Sequence, residues 1–214
     1  MYKAVLWDFG GVMTSSPFEA FNRFEKANNL PMDFIRGINA TNPETNAWAQ
    51  LESAQIDVVA FDALFAEEAR LQGHSVRGQD ILALLSGDLR PEMVKALQLI
   101  KGPMKVGCIT NNVKNAGTGA GMARDPNRVA QFDAVMALFD TVIESSKAGI
   151  RKPDPAIYRL ACDTLEIEPR EAIFLDDLGI NLKPAKALGM TTIKVLNSQQ
   201  AISELESHLS MTLR

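Results

Sequence analysis

The chain has 214 residues, 46% of them hydrophobic and 22% charged, with a formal net charge of −4. That length holds one large core plus an inserted subdomain. The weak acidity gives no electrostatic reason to expect nucleic acid or an anionic membrane as partner. No apolar run approaches the roughly 18 residues of a membrane span, and Met1-Tyr2-Lys3 does not open a signal peptide. The cytoplasm is therefore the expected compartment. Cys108 and Cys162 lie far apart in apolar contexts and read as buried, reduced thiols. His74 and His208 have no Cys or His companions at ligand spacing, which argues against a zinc site and against a histidine-activated nucleophile.

In chain order, the apolar run Ala4–Trp7 predicts a buried strand that delivers Asp8 to its C-terminal tip and then turns on Phe9-Gly10-Gly11-Val12. From about Ser15 to Asp88 no strand pattern occurs. Helical spacing groups Phe18, Phe21 and Phe24, then Trp48 and Leu51, then Val58, Phe61, Leu64 and Phe65 behind an N-cap at Asp57. Some 70 residues of helix exceed any crossover, so residues 15–88 are expected to form a helical cap over the sheet edge, with the aromatic stripe as its own core. Residues 1–14 and 89–214 are then the core domain.

Pro91 to Lys101 opens on a first-turn proline and aligns Met93, Ala96, Leu97 and Ile100. A second strand follows at Val106–Ile109. Ala116 to Arg128, with Gly117, Gly119, Gly121 and Asp125-Pro126, is expected to be a mobile loop rather than a dinucleotide site, because it does not join a strand directly to a helix. Further strands are expected at Thr141–Ile143, Ala172–Leu175 and Thr191–Val195. Pro155 to Leu165 is a helix burying Ile157, Leu160, Ala161 and Leu165, and Ile202 to Leu209 an exposed terminal helix. Strand–helix alternation of this kind makes an α/β fold with a parallel sheet covered on both faces.

In such a sheet the strand tips share one edge, so residues distant in sequence converge there. The first tip carries Asp8 and the second Thr110-Asn111-Asn112. Beyond the third, after Glu144-Ser145-Ser146, come Lys147 and Arg151-Lys152-Pro153-Asp154-Pro155. The fourth carries Asp176-Asp177, then Leu178-Gly179 and Asn181. Each has a bland reading as turn, cap or solvated loop. Adjacent acids closing an apolar strand are the exception, since they repel unless a cation is present. Acid, hydroxyl, amide, ammonium and paired acids together suit nucleophilic attack on a phosphoryl group.

Trp7-Asp8-Phe9-Gly10-Gly11-Val12, Ile109-Thr110-Asn111-Asn112, Ile143 through Lys152-Pro153-Asp154-Pro155-Ala156-Ile157-Tyr158, and Phe174-Leu175-Asp176-Asp177-Leu178-Gly179 through Leu188-Gly189-Met190 resemble, in order, the four motifs of the haloacid dehalogenase (HAD) superfamily. They are most similar to the phosphatase-type N-terminal domain of soluble epoxide hydrolases and to related bacterial phosphatases. The resemblance implies a Rossmann-type parallel sheet with a helical cap, and a Mg²⁺-dependent phosphomonoesterase acting on a small phosphorylated molecule. It also leaves room for a homodimer. By position it implies Asp8 as nucleophile, Thr110, Asn111 and Gly11 as phosphoryl holders, and Lys152 as the cation binding both that group and Asp8. Asp8, the Gly10 carbonyl and Asp177 would ligate Mg²⁺, with Asp176 in or just behind that shell and Asn181 supporting it.

The sequence departs from that pattern at one place. Phosphatases of this superfamily usually carry Asp two residues after the nucleophile, as general acid and base, and this chain has Gly10. Loss of a positioned acid/base forfeits roughly 10²–10⁴-fold. A slow phosphatase, a donor recruited from Thr14, Ser15 or Glu19, or a substrate with a good leaving group would each accommodate the glycine. Two alternatives also fit it: a 2-haloacid dehalogenase, which needs no leaving-group proton, and a catalytically impaired binder of phosphate esters. Asp176-Asp177 argues against the first, and the retained Asp8, Lys152 and Asp177 against the second. Phosphonate hydrolysis would rely on Lys26, the single lysine of the helical stretch.

Overall fold

The computed structural model describes residues 1–85, 87–112 and 126–213. Five parallel strands, β1 (Ala4–Trp7), β2 (Lys105–Thr110), β3 (Thr141–Glu144), β4 (Ala172–Asp176) and β5 (Thr191–Lys194), form one sheet in the order β3-β2-β1-β4-β5. β1 lies in the centre, between β2 and β4. After β3 the chain crosses to the other side of β1, so the order reverses there, and a crevice opens at the C-terminal ends of the strands. Asp8 follows β1 directly into that crevice.

The near-continuous apolar strands are explained by burial on both faces. Val5, Trp7, Val106, Cys108, Ile173, Leu175 and Ile193 pack into one cluster with α6 (Pro91–Ile100), α7 (Pro126–Met136) and α11 (Ser198–Leu209). Ala4, Leu6, Ile109, Ala172 and Phe174 pack into the other with α9 (Pro155–Thr164) and α10 (Gly179–Ala187). The alternation within β1 follows the two-residue period of a strand.

Four expectations are corrected. Leu160 is 37% exposed, and Tyr158 and Cys162 are buried in its place, because the inward stripe of α9 runs through 157, 158, 161, 162 and 165. Leu64 likewise faces outward from α4 (Val58–Leu71), whose stripe is Phe61, Phe65 and Ala69. The terminal helix begins earlier, at Ser198 behind Asn197, and buries Ala201, Ile202 and Leu205 against the sheet. Of the stretch Ala116 to Arg128, expected to be a mobile loop, residues 116–125 lie outside the described residues, and 126–128 form the first turn of α7 rather than loop. Among the described residues no helix is long and apolar enough to cross a membrane.

Between β1 and α6 come α1 (Pro17–Ala27), α2 (Phe34–Ala40), α3 (Ala47–Glu52), α4 and α5 (Gly78–Leu82). They share a separate apolar cluster that includes Phe21, Ile35, Leu51, Phe61, Phe65 and Ile81. The Asp57 side chain caps α4 by accepting from the Val59 and Ala60 amides. The chain enters and leaves these helices side by side. Thr14 bridges Leu89 in antiparallel fashion, the Ser15 amide donates to the Asp88 carbonyl at 2.8 Å, and the Arg90 amide donates to that of Met13 at 2.8 Å. Both connections sit next to the turn that carries Asp8.

Candidate active site

Sheet topology assembles the acids. Asp8 leaves β1 with its amide bonded to the Leu175 carbonyl, which fixes it against β4. Its Oδ1 accepts from the Phe9 amide at 2.7 Å and lies 2.8 Å from Lys152 Nζ. The same ammonium donates to Asp176 Oδ2 at 2.7 Å. Lys152 is 1% exposed, so two carboxylates compensate one buried cation. Oxygens of Asp8, Asp176 and Asp177 all fall within 4.8 Å of one another.

The two adjacent acids differ in surroundings. Asp176 is fully buried and ringed by donors: Lys152, the Leu178 amide at 2.8 Å, and Asn181 Nδ2 at 3.1 Å to each oxygen. Asn181 is held in turn by Tyr158, whose hydroxyl donates to the Asn181 carbonyl at 2.7 Å. Asp177 is partly exposed, and Ser16 Oγ approaches it at 3.5 Å. Its carboxylate lies against Gly11, which adopts φ +77°, and a Cβ there would overlap it. Gly11 thus permits the approach, while its amide points to Thr14 Oγ1 at 3.3 Å.

Burial pushes the Asp8 carboxyl well above the usual range, Lys152 opposes this, and Asp176 and Asp177 add to it. Burial and the Asp176 charge push Asp177 up to about 6. Burial works against the Lys152 ammonium, yet Asp176 and Asp8 outweigh it and hold Lys152 charged. Among the described residues, three carboxylates meet one buried ammonium, with the Arg90 charge acting on Asp177 as well, and three clustered carboxylates are the kind of donor set a hard divalent cation takes.

The remaining candidates divide. Thr110 closes β2 and is buried at that edge. The Asn111 side chain is committed elsewhere: its Oδ1 accepts from the Lys152 amide at 2.8 Å, and its Nδ2 donates to the Lys152 carbonyl at 3.0 Å and to Glu52 Oε2 at 3.2 Å. Asn112 clamps the start of α8 (Ser145–Ala148) through the Ser146 amide and Glu144. Lys147 is exposed and pairs with Glu144, away from the acids. Gly10 is exposed, and a Cβ on it would meet nothing within 4 Å. Thr14 Oγ1 is engaged by the Gly11 amide and the Ser15 carbonyl, Ser15 Oγ accepts from the Asp88 amide, and Glu19 and Lys26 are exposed on α1.

Glu52 and Ser16 were not singled out from the sequence, and Tyr158 entered only as the last residue of the third motif, with no role given to it. Ser16 stands close after the first motif, a signal of proximity at most. Glu52 ends a short helix beside Leu51, and its local pattern matches any solvated helix acid.

A family model of haloacid dehalogenase-like hydrolases matches residues 2–189. The chain belongs to that family. It is 32% identical over 99% of its length to acyl-CoA dehydrogenase family member 10 of Mus musculus, covering 20% of that protein. To bifunctional epoxide hydrolase 2 of Mus musculus it is 33% identical over 95% of its length, covering 38% of that protein. The chain therefore spans two-fifths or less of these two relatives. Validoxylamine A 7'-phosphate phosphatase of Streptomyces hygroscopicus subsp. limoneus is 26% identical over 94% of the chain and 89% of that protein. A predicted HAD-like family hydrolase from Porphyromonas gingivalis has the same fold, with a TM-score of 0.68 at 20% identity over 99% of this chain and 100% of that one.

Proposed function

We propose that the chain is a Mg²⁺-dependent phosphomonoesterase working through an aspartyl-phosphate on Asp8, with residues 15–88 as its cap. One observation carries the reading. A buried carboxylate at the sheet's switch point is fixed by a buried lysine, with a second acid pair within 4.8 Å. The phosphatase named among the relatives, similar over nearly its whole length, supports it.

In the first step Asp8 attacks phosphorus, an acyl-phosphate bond forms, and the ester P–O bond breaks. Water then cleaves the acyl phosphate and regenerates Asp8. Lys152 neutralises charge on the nucleophile and on the transferring group. Thr110 and the main chain of Asn111 hold the phosphoryl oxygens, since the Asn111 side chain is occupied with Lys152, and the Gly11 amide joins them on exchanging its 3.3 Å bond to Thr14 Oγ1. Asp8, Asp177 and the Gly10 carbonyl would hold Mg²⁺, and Asp176, ringed by donors, orients Lys152 from behind. The ion would supply charge neutralisation of the phosphoryl oxygens.

Gly10 gives the leaving alcohol no carboxylic acid; Glu19 is exposed on α1, Thr14 Oγ1 donates to the Ser15 carbonyl, and the Ser15 hydroxyl, a weak acid, accepts from the Asp88 amide. Among the described residues this favours a small phosphorylated molecule with a good leaving group, such as an acyl or anomeric phosphate, as substrate. The two free, buried thiols suit a reducing compartment, and the cytoplasm is our proposal for its location.

Phosphate release should depend on Mg²⁺ and fall by about 10⁴-fold or more in Asp8→Asn, as removal of a nucleophile does. Beryllium fluoride with Mg²⁺ should form an adduct on Asp8. Folded protein that neither binds the fluoride nor releases phosphate from any ester would sink the proposal. Halide release from chloroacetate would favour the dehalogenase reading instead.

A further inference from the structure

A buried acid outside the four strand-tip motifs touches two of them. Glu52 is the last residue of α3, and its side chain is 12% exposed. Oε1 accepts from Trp48 Nε1 at 3.0 Å. Oε2 accepts from Asn111 Nδ2 at 3.2 Å and forms an ion pair with Arg151 Nε at 2.8 Å. The Glu52 carbonyl accepts from Ser145 Oγ at 2.7 Å. Arg151 also reaches back, donating from Nη1 to the Pro43 carbonyl at 2.8 Å.

A carboxylate needed only for the stability of the helices would find its partners inside them. Of Glu52's partners among the described residues, Trp48 alone does so. It is seated on Phe61 in the helical cluster, with ring centroids 5.3 Å apart. The others lie on the segments after β2 and β3. From Glu52 the bonds run on without a break: Asn111 clamps the Lys152 backbone at both its amide and its carbonyl, and Lys152 Nζ holds Asp8 and Asp176. Arg151 is the residue immediately before Lys152. Both routes from Glu52 therefore end on the peptide that aims the ammonium.

We propose that Glu52 is a positioning residue, which docks α3 on the loops after β2 and β3 and fixes the backbone from which Lys152 reaches Asp8. The catalytic consequence rests on the phosphatase reading of that site. The positioning itself does not. Removing the carboxylate leaves Arg151 and Asn111 each short of a partner and lets the Lys152 peptide shift. Displacements of about 1 Å cost up to about 10²-fold in rate.

The test compares Glu52→Ala, the milder Glu52→Gln and Asp57→Ala, which weakens the same helical cluster at a side chain that caps the Val59 and Ala60 amides. Backbone hydrogen exchange of the peptides spanning 145–152 should accelerate about tenfold or more in Glu52→Ala, less in Glu52→Gln, and not in Asp57→Ala. With a turned-over phosphate ester, kcat should fall about 10- to 100-fold in Glu52→Ala while KM changes by less than about threefold. A double variant with Asn111→Ala should lose less than the two single losses combined, since one of the two routes is already cut and only that through Arg151 remains. Unchanged exchange at 145–152 in both Glu52 variants, or equal acceleration in Asp57→Ala, overturns the proposal. Faster exchange in a protein that hydrolyses no phosphate ester would leave Glu52's role standing and remove the phosphatase reading.

Discussion

Gly10 is where a single side chain has the greatest leverage. Its backbone does not require glycine, and a Cβ would enter open space. Gly10→Asp should therefore be tolerated, and should raise kcat/KM on alkyl phosphates by about tenfold or more, within the roughly 10²–10⁴ that a positioned acid contributes. Nitrophenyl phosphate, which leaves without help, should gain much less. An equal gain on both would show that protonation is not the deficit. Lys152 tests the opposite case, a buried charge already matched. Lys152→Met strands two buried carboxylates and should lower unfolding stability by about 3–5 kcal/mol in urea titrations, besides abolishing turnover. A loss under about 1 kcal/mol would mean that the acids find other compensation. Asp8, Lys152 and Asp177 were legible because each follows an apolar strand or lies in a motif. Asn111 was legible as a member of the site, but its side chain serves Lys152, which is decided by a loop 41 residues away.

At the scale of elements, Pro91, Pro155 and Asp57 marked the starts of α6, α9 and α4 because their chemistry is local, whereas Pro126 and Asn197, which open α7 and α11, were passed over. Asp57 accepts two amides at the start of α4. Asp57→Ala should cost about 1 kcal/mol of stability by urea denaturation and leave phosphate release unchanged, since its side chain bonds to the Val59 and Ala60 amides of its own helix. A fall in turnover would connect α4 to the site by a route the hydrogen bonds do not show. Helix faces were less legible than helix starts. Leu160 and Leu64 are apolar and near the inward stripe, yet the partner surface admits Tyr158 and Cys162 on α9, and Phe65 and Ala69 on α4. Periodicity gives a stripe about 100° wide, and only the opposing surface selects its edge.

Over the whole molecule, the two thiols report on burial from opposite faces of the sheet. Burial, then Asp163 and Glu168, pushes Cys162 up to about 11, and burial raises Cys108 further. The unfolded chain ionises its thiols near about 8.5, so the folded state keeps protons that the unfolded state releases. Their contribution to stability is complete below that pH and is lost as pH rises through the folded values. Urea stability should decline from about pH 8 to about pH 10.5, and more steeply than in a Cys108→Ala/Cys162→Ala variant. Equal slopes would exclude the thiols as the cause. Strand–helix alternation, the long helical stretch after Asp8 and the order of the four motifs were settled by sequence, because apolar period, proline and glycine act over a few residues. The strand order, the donor ring that distinguishes Asp176 from Asp177, and the docking of Glu52 on Asn111 and Arg151 were settled by tertiary structure alone. Each depends on bringing together residues tens to more than a hundred positions apart, and no local pattern encodes that distance.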